Sequence, residues 1–184
     1  MRPFLETERL ALRQLTAGDA DELFDLHNDP RVMRFIDGGG RTPHSLITGT
    51  FLPAALDRYE RTPGRGHWAA AEKRTGRFLG WFELVPQRED DLSTAELGYR
   101  LRVSAWGRGY ATEGARALVR RAFDELGVER VFAQTMAVNS ASRRVMEKAG
   151  LVHVRTFHPV WDDPLPGSEH GEVEYELLRS GHRP

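Results

Sequence analysis

The 184-residue sequence contains no cysteine, which removes disulfides, thiolate metal sites and cysteine nucleophiles from consideration. It also lacks a dominant charge, 26 Lys+Arg standing against 27 Asp+Glu for a net charge of −1. Nucleic-acid affinity built on phosphate neutralisation is therefore not expected. No apolar run approaches the roughly 20 residues that span a bilayer. The opening Met1-Arg2-Pro3-Phe4-Leu5-Glu6 turns acidic without the apolar stretch of a secretory signal. A cytoplasmic protein with no membrane partner is the expectation. The histidines are scattered and no His-Glu-x-x-His occurs, so no metal site is expected. Lysine is scarce, occurring only as Lys73 and Lys148, which by itself points to no function.

What is present is patterned apolar sequence of one-domain length, roughly 100–200 residues being typical. One domain over 1–184 is expected, with the last few residues flexible. Leu10 to Leu15 alternates apolar and polar residues, the period of a half-buried strand. Thr16 to Asn28 reads as a capped helix that stops before Pro30, and a short apolar piece, Val32 to Ile36, runs into Gly38-Gly39-Gly40. A second helix is expected from His44 to Arg61, kinked or divided at Pro53. His67–Glu72 and Phe78–Val85 flank a short glycine turn as a hairpin. Pro86 to Ser93 reads as a polar loop and Ala95–Leu101 as a third strand of this meander. A helical apolar stripe then runs from Gly109 to Leu126, closed by Gly127. Glu129–Val138 is β-like, Ser140–Ala149 helical, and Leu151–Phe157 and Gly171–Leu178 are strands separated by the long loop His158–His170. This order implies one mixed α/β unit.

Two segments carry chemistry. Trp106-Gly107-Arg108-Gly109-Tyr110-Ala111-Thr112-Glu113 joins a strand to a helix, and glycines there let backbone N–H groups approach an anion such as a pyrophosphate. On the glycines alone, a simple tight turn is the better reading. A Rossmann fingerprint would need glycine at Thr112, and the Gly-Lys-Ser/Thr ending of a P-loop is absent. The second segment is Asn139-Ser140-Ala141-Ser142, continuing into Val145-Met146-Glu147-Lys148-Ala149-Gly150-Leu151. Asn139 and Ser140 are good helix caps in their own right.

Together the two segments resemble the GNAT superfamily of N-acetyltransferases, and within it the ribosomal-protein N-terminal acetyltransferase-like (RimJ/RimL-like) branch, many of whose members act on other acceptors. Thr7-Glu8-Arg9-Leu10, Leu12-Arg13 and Glu96-Leu97-Gly98-Tyr99 extend the likeness over nearly the whole chain. The resemblance implies a mixed, mostly antiparallel sheet of about seven strands, splayed between the fourth and fifth and flanked by about four helices. It implies acetyl-coenzyme A in that wedge. The backbone of Tyr99, Arg100 and Leu101 would pair with the pantetheine arm, Gly107, Arg108, Gly109, Tyr110, Ala111 and Thr112 would cradle the pyrophosphate, and Asn139 would bond the pantetheine from the other side, near Ser142. Ser104 stands where many relatives carry Gln or Arg, and Met146 where many carry the tyrosine that protonates the leaving thiolate.

Acetyl transfer to an amine needs a base for the ammonium, donors for the oxyanion and an acid for the sulfur. A strand N–H near Tyr99 or Leu101 is the oxyanion donor the family implies. Ser142 is the remaining hydroxyl, better suited to orienting the sulfur than to protonating it. Glu96 is the favoured base, with Glu83, His153 and His158 as rivals, and strand parity sets Glu96 and Tyr99 on opposite faces unless a bulge intervenes. Trp161 with Asp162 or Asp163, in the long loop, suits a cationic acceptor. The Ile36–Ser45 joint is expected beside it. The implied partner is an amine, either a protein N-terminus or a small molecule, and at family level a homodimer. A catalytically silent coenzyme-A-binding module is the second reading, kept open by Met146 and the unassigned base.

Overall fold

Local patterning builds eight strands, and a computed structural model describes residues 3–182 of the chain. The strands are β1 (Leu5–Glu6), β2 (Leu10–Gln14), β3 (Gly66–Glu72), β4 (Phe78–Arg88), β5 (Asp91–Leu101), β6 (Arg130–Met136), β7 (Val152–Phe157) and β8 (Glu172–Leu178). They form one sheet in the order β1-β2-β3-β4-β5-β6-β8-β7. Every neighbouring pair is antiparallel except β5 and β6. The flexibility expected of the chain's end falls partly on 183–184, outside the described residues, while Arg179–Gly181 forms a 3-10 turn.

Six α-helical segments cover the two faces: α1 (Ala20–His27), α2 (Pro30–Met33), α3 (His44–Leu46), α4 (Leu52–Arg61), α5 (Tyr110–Asp124) and α6 (Ser140–Lys148). One face carries Leu10, Trp68, Phe82 and Leu97 beneath α5 and α6. The other carries Leu15, Ala69 and Trp81 against α1 and α4. Each such fully buried large side chain contributes about 1.5–3 kcal/mol relative to exposure. Helix α5 approaches the sheet through Gly114, where a Cβ would lie 2.3 Å from Cζ of Phe82. Any side chain at 114 would push the helix off the strands.

One expectation needs correction, and two elements go beyond the sequence reading. The segment from Pro86 to Ser93 is not a loop: β4 runs to Arg88, β5 starts at Asp91, and the register shifts between Pro86 and Arg88. The hairpin outgrows the core there, so its strand residues need no apolar alternation, and the bulge accommodates a proline. Val32 and Met33 belong to α2, with Pro30 in its first turn. The two-residue β1 is too short to show a period. Pro53 does divide its helix, as expected: the turn Ile47–Phe51 is π-helical, with the Leu52 N–H donating to the Ile47 carbonyl, before α4 begins.

Candidate active site

Strands β5 and β6 pair over only Thr94↔Arg130, Ala95↔Val131 and Glu96↔Phe132. β5 then continues to Leu101 beside β4, while β6 continues to Met136 beside β8. The two edges part after Glu96, and a wedge opens between them. The Arg102 N–H donates to the Leu79 carbonyl, so alternation turns the backbone of Arg100 and Gly98 toward β4 and that of Leu97, Tyr99 and Leu101 toward the wedge. This corrects one expectation: the Arg100 backbone faces Trp81 across β4, not a ligand in the wedge. The Leu101 carbonyl already accepts from the Trp106 indole at 2.8 Å. The free edge is the N–H and carbonyl of Tyr99 and the N–H of Leu101.

At the end of β5 the chain turns into α5. Gly107 and Gly109 hold φ of +71° and +82°, a left-handed conformation that glycine adopts at little cost. Gly109 is the N-cap and no side chain caps the helix, so the N–H groups of Gly109, Tyr110, Ala111 and Thr112 have no intrahelical partner. Nothing lies within 4 Å of a Cβ built at Gly107. Open space, free donors and the positive helix end fit a pyrophosphate. The turn is clamped from behind. Glu113 accepts from Thr7 Oγ1 at 2.5 Å, the Arg9 N–H at 2.8 Å and Arg9 Nε at 2.6 Å, and Arg9 Nη1 donates to the Arg108 carbonyl at 2.9 Å. The Arg9 guanidinium also lies 4.6 Å from the centre of the Tyr110 ring. Thr7 and Arg9 entered the sequence reading only as a family signature; here they brace the turn.

The opposite wall is the start of α6. Asn139 Oδ1 accepts from the Ser142 N–H at 3.2 Å, and its Nδ2 donates to Thr135 Oγ1 at 3.0 Å. Asn139 is therefore the cap, and the Ser142 side chain is free of that duty. Ser142 Oγ lies 3.0 Å from Tyr99 Oη, whose hydroxyl is also 3.1 Å from the Ser142 carbonyl. This contact bridges the two walls. Burial pushes the Tyr99 phenol up to about 12. Met146, one turn further along, is 2% exposed in the core.

The other face of β5 has a different character. Cross-strand pairing sets Trp81 opposite Arg100, Glu83 opposite Gly98 and Val85 opposite Glu96, all on one side. Glu96 and Tyr99 do lie on opposite faces, since no register shift falls between them. Glu83 leans over Gly98, where a Cβ would sit 2.1 Å from its Oε1, and Glu83 Oε2 lies 2.7 Å from His67 Nε2. Burial, with Glu83, Glu172 and Glu174 nearby, pushes the Glu96 carboxyl up to about 7. Burial also raises Glu172. Glu174 is held down by hydrogen bonds from Arg155 and Gln134 against the effect of its burial. His27 accepts at Nε2 from Trp81 Nε1 at 3.3 Å, and Arg100 Nη1 lies 3.1 Å from the same nitrogen. Burial, with Arg100 and His67 nearby, lowers His27 to about 3, so it is neutral at ordinary pH. His27, His67 and the Arg100 side chain were not foreseen as site residues. Their meeting depends on sheet register, and no local motif announces it.

The remaining candidates divide. His153, on β7 beyond β6 and β8, meets Thr156 Oγ1 at 3.2 Å and the Tyr175 ring. Tyr175 belongs to the α6-side core, so His153 is not brought to Glu96. His158 stands at the end of the same strand, against Gly171. Trp161 is half-buried with a buried, unpartnered Nε1 among the described residues, while Asp162 and Asp163 are exposed. Their loop does meet the Ile36–Ser45 joint: a Cβ on Gly38 would lie 3.0 Å from Leu165 Cδ2. Among the described residues no group of acidic and histidine side chains has metal-site geometry, and no helix is long and apolar enough to cross a membrane.

Comparison with known proteins agrees with this geometry. Residues 9–152 match the family described as Acetyltransferase (GNAT) domain. The chain is 39% identical over 186 aligned positions to the FsC-acetyl coenzyme A-N(2)-transacetylase of Aspergillus fumigatus, covering 97% of this chain and 77% of that one. The fold resembles a GNAT-family acetyltransferase from Bacillus anthracis, with TM-score 0.79, 21% identity and coverage of 96% and 98%. It also resembles a Vibrio cholerae spermidine N-acetyltransferase solved with CoA and spermine, with TM-score 0.75, 16% identity and coverage of 95% and 98%. The wedge, the uncapped glycine turn and these matches place the chain in the GNAT acetyltransferase family, as an acetyl-coenzyme-A-dependent N-acetyltransferase.

Proposed function

We propose that the chain acetylates a primary amine by direct attack within a ternary complex, with Glu96 as the base. The observation that carries this is the Glu96 carboxyl, raised to about 7 on the strand residue where β5 and β6 part. A base tuned near neutrality accepts the ammonium proton efficiently at working pH. Glu83, Glu96 and Glu172 give this face the negative potential that favours a cationic acceptor. The relative's name, with its N(2), supports a nitrogen acceptor. RimJ/RimL-like membership rests on the Thr7–Leu10 and Glu96–Tyr99 motifs.

In this reading the Gly109–Thr112 amides hold the pyrophosphate of acetyl-coenzyme A, which supplies an activated thioester carbonyl. The Tyr99 and Leu101 N–H groups face the wedge and stabilise the oxyanion as the amine adds. Glu96 takes the proton the amine must lose. The Ser142 hydroxyl, polarised by Tyr99, orients the departing sulfur, a role for which its high pKa is no handicap. Glu83 holds His67 and keeps the field of the acceptor face negative.

The test is thiol release from acetyl-coenzyme A over a panel of small amines and N-terminal peptides, for the wild type and Glu96→Gln. The wild-type kcat/KM should rise with pH through about 7, because the carboxylate, not the acid, is the base. Glu96→Gln should lose that inflection and at least about 100-fold in kcat. An unchanged pH profile in the variant would remove Glu96 from the base's place.

A further inference from the structure

We propose that the acceptor amine also carries a carboxylate, and that the Arg100 side chain recognises it. The inference rests on the acceptor face assigned above and names the substrate class for that face. Arg100 lies between Trp81, opposite it on β4, and His27 at the end of α1. Its guanidinium is 5.0 Å from the centre of the Trp81 ring. Among the described residues no carboxylate lies within the 4.0 Å of an ion pair, and only Nη1 has a hydrogen-bonding neighbour, the neutral His27 ring. Glu83 and Asp37 act on it only from a distance, and burial is the main influence on it. Arg100 is only partly buried, and its Nε and Nη2 keep access to solvent, so a charged fork without a counter-ion stays open to a ligand on this face.

Three other buried or part-buried arginines have carbonyl or carboxylate partners on their terminal nitrogens, although the Arg65 Nε is itself unpartnered. Arg65 donates to the carbonyls of Leu92 and Leu126, Arg13 pairs with Asp19, and Arg130 pairs with Glu174 and Glu176. Arg100 alone of these has its Nε and Nη2 without a hydrogen-bond partner. It shares one face of β5 with Glu96, and the Glu83 carboxylate, leaning over the intervening Gly98, lies between them. Two residues of strand span about 6.7 Å, so a guanidinium at 100 reaches back toward an acceptor whose ammonium lies against the Glu83 carboxylate beside Gly98. A planar fork of free donors suits a carboxylate, which it binds in bidentate fashion. His27 serves this arrangement by staying neutral: its Nε2 lone pair accepts from both Trp81 and Arg100 and fixes the fork without neutralising it.

The measurement is kcat/KM for lysine, lysinamide and cadaverine, a series that removes first the carboxylate charge and then the whole group. Arg100→Met and Arg100→Lys are compared with the wild type, and melting curves confirm that each variant is folded. The wild type should favour lysine over both other amines by at least about tenfold. Arg100→Met should erase that preference through the KM for the amine, with the KM for acetyl-coenzyme A unchanged, and Arg100→Lys should retain part of it. Equal turnover of the three amines, or a preference that survives in folded Arg100→Met, would overturn the proposal. So would turnover of none of them by protein that binds acetyl-coenzyme A in calorimetry. Failure to bind acetyl-coenzyme A would instead overturn the function proposed above.

Discussion

Ser142 and Met146 are successive inward positions on α6, and only the first meets the wedge; the second is sealed in the core. With Asn139 capping the helix, Ser142→Ala should cost only the Tyr99 hydrogen bond, about 0.5–1.5 kcal/mol. It should lower kcat more than it raises the KM for acetyl-coenzyme A, because orientation of a departing sulfur matters most in the transition state. Steady-state kinetics beside a thermal melt would separate this from a purely structural serine, which would shift the melt and leave kcat intact. Glu96 makes a second prediction at this scale. Its folded carboxyl titrates near 7 against an ordinary 4.5, so between those values the native state holds a proton that the unfolded chain releases. That contribution to stability is complete below about 4.5 and is lost as pH rises through about 7, up to about 3 kcal/mol. Glu96→Gln should therefore gain on the wild type in melting temperature between pH 5 and pH 8. His27, depressed to about 3, loses stability in the opposite direction, as pH falls below about 6.5. It is common to both proteins and cancels in the difference. A gap that stays constant across this range would contradict the buried, proton-holding Glu96.

Elements were legible where a motif is local. The glycine turn, the Asn139 cap and the alternation of β2 or β5 are each written within a few consecutive residues. The extended β4–β5 hairpin was not, because its tip is polar on both sides and no core enforces a period. The clamp on α5 was missed for another reason. Thr7 and Arg9 act on Glu113 from about a hundred residues away, through contacts made only once β2 lies beside β3 and α5 is docked. The clamp nonetheless predicts a measurable behaviour. Arg9→Ala removes the guanidinium donors to Glu113 and to the Arg108 carbonyl while the Thr7 hydroxyl and the backbone N–H at position 9 remain, leaving the turn's amides less well aimed. The KM for acetyl-coenzyme A should rise about tenfold with that for the amine unchanged. Acetyl-pantetheine, which has no pyrophosphate, should show no such penalty. An equal loss with both thioesters would make Arg9 a general stabiliser of the fold rather than a brace for the anion site.

At the scale of the molecule, the sheet holds two environments apart by parity. Tyr99 and Ser142 share the α6 side, and Glu96, Glu83 and Arg100 face α1 and α4, so the wedge is where the two sides communicate. That separation was foreseeable from β5 alone, but the membership of the acceptor side was not. His67 and Trp81 come from the hairpin, His27 from α1 and Glu172 from β8, and only the strand order brings them together. The same topology carries the Ile36–Ser45 joint to the 158–170 loop, through Gly38 and Leu165. Trp161 in that loop holds a buried indole nitrogen with no partner among the described residues. A donor in that position is satisfied when an acceptor group arrives, whereas a packed structural tryptophan finds its partner within the chain. Trp161→Ala should accordingly raise the KM for the amine severalfold and leave that for acetyl-coenzyme A nearly unchanged, since the glycine turn is built by other segments. Bisubstrate kinetics would decide it: an equal change in both constants, or in neither, would take the loop out of the acceptor site.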